Sequence, residues 1–152
     1  MKPGQIRPIA ICVFRDEDRL FLMECHDPTK KETFYRPLGG AIEFGEYRRK
    51  SIVREIREEI GAEIKDLTYV DMIENIFIYD GQPGHEIVLV YEANFVDSHL
   101  YEVESLRCRD NGEEFDAMWK SLSEFRSGKV PLYPEGLLEL LDRKAEECSG
   151  MK

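Results

Sequence analysis

Residues 36–62 read RPLGGAIEFGEYRRKSIVREIREEIGA, and the fold turns on how the second half of this stretch is read. Ile52, Ile56 and Ile60, with Val53, recur at helical spacing, so an amphipathic helix is expected from about Tyr47 to Ile60. Glu55, Glu58 and Glu59 fall within an arc of roughly 100° on a neighbouring face of that helix. Glu55 and Glu59 form a like-charge i, i+4 pair costing about 0.2–0.5 kcal/mol. Gly61 marks a helix end, where the macrodipole also disfavours anions. Two readings compete for the acidic edge. The carboxylates either pair with Arg54 and Arg57 on a solvated face or hold a divalent cation. A hard metal such as Mg²⁺ takes oxygen ligands from one or two carboxylates plus substrate phosphates. Local spacing does not choose between them.

Upstream, Gly39 and Gly40 follow a short strand expected around Phe34 to Leu38. Without a Cβ they let the backbone turn sharply and approach a metal or phosphate closely. Gly45 reads as an N-cap or turn residue before the helix, and Gly61 as its C-cap. Further out, PIAICVF (8–14) and LFLMECH (20–26) form a hairpin turning through Asp16 to Arg19. LTYVDMIENIFIY (67–79) and EIVLVYEANF (86–95) form another around DGQPGH, and EFDAMWKSL (114–122) adds a strand. A short helix over Ser123–Arg126 and a longer one from Pro134 to roughly Glu147, with Leu137, Leu138 and Leu141 as its buried stripe, complete the order. Asp27–Thr33 and Asp97–Glu104 read as polar loops. The expected architecture is α/β (α+β), a mixed β-sheet with helices on its faces.

The chain of 152 residues is 42% hydrophobic, which fits a single domain over residues 1–152 with a real core. A net charge of −10 argues against a DNA duplex as partner, because that affinity comes from Lys and Arg neutralising phosphates. A small phosphorylated substrate is compatible with it when a cation offsets the charge. Cys12, Cys25, Cys108 and Cys148 are widely spaced and read as reduced, buried thiols of an intracellular protein. No stretch approaches the roughly 18 apolar residues of a membrane span, and the N-terminal apolar run is too short for a secretory signal. No membrane association and a cytoplasmic location are expected.

The 36–62 stretch resembles the Nudix hydrolase (MutT-like) box, G-x5-E-x7-R-E-U-x-E-E-x-G-U with U a bulky aliphatic. Gly40, Glu46, Arg54, Glu55, Ile56, Glu58, Glu59 and Gly61 match it. Ala62 departs, being small, and Leu38 stands where relatives often carry Pro before the paired glycines. The box covers Gly40 to Ala62, while the surrounding elements also resemble the Nudix α/β/α sandwich. The resemblance implies a metal-dependent pyrophosphatase that cleaves a nucleoside diphosphate linked to another moiety. It implies Mg²⁺ (or Mn²⁺) held by Glu55, Glu58 and Glu59, with Glu55 and Glu59 the direct ligands and the Gly39 carbonyl a further candidate. Arg54 would fix a box glutamate, Glu46 would order the loop and helix start, and Arg57 would point away.

Outside the box, Glu86 is the candidate for a further metal ligand or general base, with Glu92, Glu113 and Glu114 as alternatives. An ordinary edge-strand position is the competing reading for Glu86, and His85 beside it reads as structural. Arg36 and Gly40 are candidates for substrate contact, though Arg36 pairs equally well with an acidic neighbour. Phe34, Tyr35, Phe77 and Tyr79 offer stacking surfaces but more often occur as core. The alternative function is a non-catalytic sensor or partner-binding module of the same fold. A homodimer is compatible with the resemblance. The region Asp97–Asn111 is expected to contribute selectivity.

Overall fold

In the computed structural model, which describes residues 4–150, the elements run β1 (Ile6–Asp16), β2 (Arg19–Asp27), β3 (Glu32–Arg36), β4 (Leu38–Ala41), α1 (Arg48–Ile60), β5 (Ile64–Tyr79), β6 (Gln82–Phe95), β7 (Ser105–Asp110), β8 (Glu113–Ser121), α2 (Leu122–Arg126) and α3 (Leu137–Gly150). The first hairpin pairs only at its tip, Arg15 with Leu20 and Asp16 with Arg19. Beyond the tip its strands part and recruit different neighbours. β1 takes β6 in parallel and β4 antiparallel, while β2 lies between β3 and β8. The sheet is therefore mixed, in the order β5-β6-β1-β2-β8-β7 with β3 and β4 off that path, and it opens into two wings.

Alternation along the strands builds two cores. Ala10, Cys12, Phe14, Phe21 and Met23 pack with Ile52 and Ile56 of α1. Ile9, Ile11, Val13, Val88 and Val90 pack with Leu122 and Phe125 of α2 and Leu137, Leu140 and Leu141 of α3. The run PIAICVF is apolar at successive positions because β1 is covered on both faces. The expected α/β/α sandwich is the observed one.

Several local expectations change. The strand expected over 34–38 is two strands, because Pro37 has no N–H to continue the ladder. Gly45 is not the N-cap: Tyr47 holds that position with no side-chain cap bond, and Gly45 turns the loop at φ 85°. Gly61 is the C-cap, at φ 67° with its N–H donating to Arg57 O. The last helix begins at Leu137 rather than Pro134. Residues 105–110, within the region read as a selectivity loop, form β7 paired with β8. Glu86 lies on β6, an interior strand, so the edge reading does not hold. Cys12, Cys25 and Cys108 are buried, but Cys148 is exposed, past the last buried leucine of α3. Among the described residues no helix is long and apolar enough to cross a membrane.

Candidate active site

Arg54 is the hub of the box. Its Nε donates to Glu46 Oε2 at 2.7 Å and its Nη2 to Glu46 Oε1 at 2.9 Å, a two-pronged pairing that ties α1 to the loop before it. Nη2 also reaches Ala41 O at 3.2 Å, and Nη1 donates to Glu55 Oε1 at 3.0 Å and Glu58 Oε2 at 3.1 Å. The planar fork explains why arginine suits this position better than lysine. The like-charge repulsion along α1 is offset by this one guanidinium. Glu46 accepts from Glu43 N as well, and with Arg54 first among the causes its carboxyl is held down at about 2 from the ordinary 4.5.

That depression sets a pH window. The pairing contributes stability above pH 4.5 that is lost as the pH falls toward 2. Arg54→Lys, which keeps the charge and loses the fork, is expected to unfold in acid at a higher pH midpoint than the wild type, read by circular dichroism. An unchanged midpoint would show that the fork does not hold Glu46.

The three box glutamates are placed differently. Glu58 is exposed and turned to Arg54, whereas Glu55 and Glu59 are buried. Glu55 packs against Gly40, where a Cβ would lie 2.5 Å from the carboxylate carbon. Glu59 Oε1 accepts from Gly39 N–H at 2.9 Å, and Glu59 Oε2 is buried with no partner. Burial, reinforced by Asp110 and Glu55 and opposed by Arg36 and the Gly39 N–H, pushes the Glu59 carboxyl up to about 9. Burial also raises Glu55, against the opposing charge of Arg54. Arg57 points away from this centre, as expected, and finds its partner in Glu63.

Beside this centre, where the wings part, lies a cavity of about 750 Å³. Arg7 and Glu86 line it from the β1–β6 wing, and Phe34, Arg36 and Asp110 from the other. Glu55 and Glu59 are not among its lining residues. Arg36 connects the two regions. Burial opposes its charge, but Cys25, Asp110, Glu59 and Glu86 more than offset this and raise its pKa. Arg36 pairs with an acidic neighbour, Asp110, at 3.5 Å, and it lines the cavity. Glu86 is buried and pairs with Arg7 at 3.4 Å. Among the alternatives to it, Glu113 lines the same cavity, Glu114 is taken up by Arg107, and Glu92 lines a separate depression with Arg15 and Asp66. Tyr35 faces the core against Phe125, whereas Phe77 and Tyr79 join Phe34 at the cavity. Arg7 and Asp110 were not singled out by the sequence. Arg7 precedes an apolar strand with no motif around it, and Asp110 sits in a strand whose polar alternation reads as loop.

The donor set suits a hard cation only in part. Among the described residues no three His, Cys, Asp or Glu side chains are grouped so as to hold a metal by themselves. The unpartnered Glu59 Oε2, with Glu55 nearby, is the arrangement of a cation that takes its remaining oxygens from substrate and water, as Mg²⁺ usually does.

Comparison with known proteins shows the family of the chain. The NUDIX domain model matches residues 5–141. The NAD-capped RNA hydrolase NudC of Photobacterium profundum is 26% identical over 121 residues, 79% of this chain and 40% of the relative. The NudC of Pseudomonas aeruginosa is 32% identical over 88 residues, 58% of this chain and 27% of that protein. The chain thus matches less than half the length of either relative. Among solved structures, a NUDIX hydrolase from Nitrosomonas europaea aligns with TM-score 0.68 and 17% identity, covering 94% of this chain and 90% of that one. A structure described as an ADP compounds hydrolase aligns with TM-score 0.55 and 20% identity, covering 85% of this chain and 64% of that one.

Proposed function

The chain belongs to the NUDIX domain family of hydrolases, and from that premise we propose that it cleaves the phosphoanhydride bond of a nucleoside diphosphate linked to another moiety, with Mg²⁺ or Mn²⁺. One observation carries the reading: Glu59 is buried beside Glu55 on the box helix with Oε2 unpartnered, a costly arrangement unless a cation completes it. Similarity to NAD-capped RNA hydrolases supports a nucleotide derivative as substrate.

Glu59 and Glu55 are the proposed direct ligands, with the Gly39 carbonyl beside them and Glu58 at the solvent side. A bound cation supplies a Lewis acid at the phosphoryl oxygens and offsets the negative charge of both partners. The chain's own residues do the rest. Arg54 fixes the rotamer of Glu55 and holds Glu58. Gly39 N–H holds one oxygen of Glu59, leaving the other free. Gly40, having no Cβ, leaves room for the Glu55 carboxylate. Arg36 donates to a substrate phosphate, and Glu86 takes a proton from the attacking water in this reading.

The test is release of nucleoside monophosphate or phosphate from a panel of nucleoside triphosphates, dinucleoside polyphosphates, ADP-ribose, nucleotide sugars and NAD, with Mg²⁺ or with chelator. Metal-dependent turnover of at least one compound is expected. A folded, metal-binding protein silent on the whole panel would contradict the hydrolase reading.

A further inference from the structure

Two arginine–carboxylate pairs of this structure use the side-on Nε/Nη2 fork on both carboxylate oxygens. Arg57 meets Glu63 at 2.7 and 2.8 Å, and Arg54 meets Glu46 at 2.7 and 2.9 Å. The two arginines that line the cavity each make a single long contact. Arg7 touches Glu86 through Nη2 alone at 3.4 Å, and Arg36 touches Asp110 through Nη2 alone at 3.5 Å. Both distances exceed the roughly 2.7–2.9 Å of a charge-assisted hydrogen bond. In both, Nε is buried and unpartnered, and among the described residues no other arginine Nε is in that state.

A buried donor left without an acceptor is costly, so two of them on one cavity suit an oxyanion as acceptor. The two arginines come from opposite wings, Arg7 on β1 and Arg36 on β3. Glu86 links them, since it pairs with Arg7 and its charge also acts on Arg36. The volume of about 750 Å³ admits a nucleotide-sized ligand.

Resting on the hydrolase reading above, we propose that Arg7 and Arg36 together grip a terminal phosphoryl group of the substrate, which makes Arg7 a specificity-determining residue for substrates whose anhydride chain ends in a phosphomonoester. The oxygen count selects the class. Two half-used forks need at least two oxygens that are not engaged elsewhere. A terminal phosphoryl group has three non-bridging oxygens, whereas an internal phosphodiester has two, and those are needed at the carboxylate centre. A dianion also matches two guanidiniums in charge, while Glu86 and Asp110 serve as their counterions in the free protein.

The experiment uses inorganic phosphate as probe, titrated into the chelator-treated full chain and followed by melting temperature and calorimetry. Saturable stabilisation is expected. Arg7→Gln should weaken it at least about tenfold, Arg7→Lys should fall between, and Arg107→Gln, on the exposed Glu114–Asp116 pair, should match wild type. Arg7→Lys keeps a cation against Glu86 and so guards against misfolding of the glutamine variant. In turnover, Arg7→Gln should raise KM for a substrate ending in phosphate by a larger factor than for a diphosphate esterified at both ends. No phosphate binding to folded wild type, or wild-type binding by both Arg7 variants, would overturn the clamp whether or not the protein hydrolyses anything. Phosphate binding that depends on Arg7, in a protein that turns over no compound of the panel, would support the clamp and count against the hydrolase reading.

Discussion

Glu59→Gln is expected to lower turnover roughly thousandfold while making the metal-free protein more stable at alkaline pH. Both halves follow from one buried oxygen. The amide side chain keeps an acceptor for Gly39 N–H but carries no charge to offer a cation. In the wild type the Glu59 carboxyl is pushed from 4.5 to about 9, so the folded state binds its proton more tightly than the unfolded chain does. For a raised pKa the stability contribution is full below 4.5 and is lost as the pH climbs toward 9. The loss by pH 7 is on the order of 3 kcal/mol. Metal-free wild type should therefore melt at falling temperature from about pH 5 to about pH 9, and the glutamine variant should show a flatter profile. Mg²⁺ should restore wild-type stability at pH 8 with release of a proton, because a ligating carboxylate must be ionised. A variant with the same pH profile as wild type, or with undiminished turnover, would remove Glu59 from the centre.

Gly39→Ala is expected to be the most damaging glycine substitution for the fold, costing about 3 kcal/mol or more. A Cβ there would lie 2.1 Å from Ala10 O and 2.7 Å from Ile11 Cα, both backbone atoms of the neighbouring β1. The residue also sits at φ 149°, so the conformation and the space are both unsuited to alanine. The β1–β4 pairing would have to open, and with it the N–H that holds Glu59. Gly40→Ala meets a different neighbour, the Glu55 side chain, which can swing aside. That variant should stay folded and lose activity. Gly45→Ala meets no atom within 4 Å and should cost only about 1 kcal/mol for its positive φ. Urea denaturation of the three proteins ranks them, and a Gly39→Ala protein as stable as Gly45→Ala would contradict the close approach.

The box was legible because its physics is local. Helical spacing places Glu55 and Glu59 beside Ile52 and Ile56, so the same periodicity that buries the isoleucines carries these two carboxylates into the interior. Gly61 and the outward Arg57 follow from the same wheel. The division of labour among the glutamates was not local. Glu58 is drawn to solvent by Arg54, and Glu59 is isolated by β4, Arg36 and Asp110, which arrive from elsewhere in the chain. Asp110 was hidden because β7 is a short strand in which Cys108 is the one buried residue. Arg7 was hidden because it has no motif, and its significance depends on the parting of β1 from β2 beyond a short tip. The register that puts Arg7 opposite Glu86 belongs to a parallel pairing between distant segments, and no turn signal announces it.

The central claim is that buried Glu55 and Glu59 hold a divalent cation, and Mn²⁺ titration followed by electron paramagnetic resonance tests it without knowledge of the substrate. Wild-type protein is expected to bind Mn²⁺ saturably and in competition with Mg²⁺, while folded Glu59→Gln binds at least about tenfold more weakly. Equal Mn²⁺ binding by the two proteins would place the metal elsewhere and contradict the account.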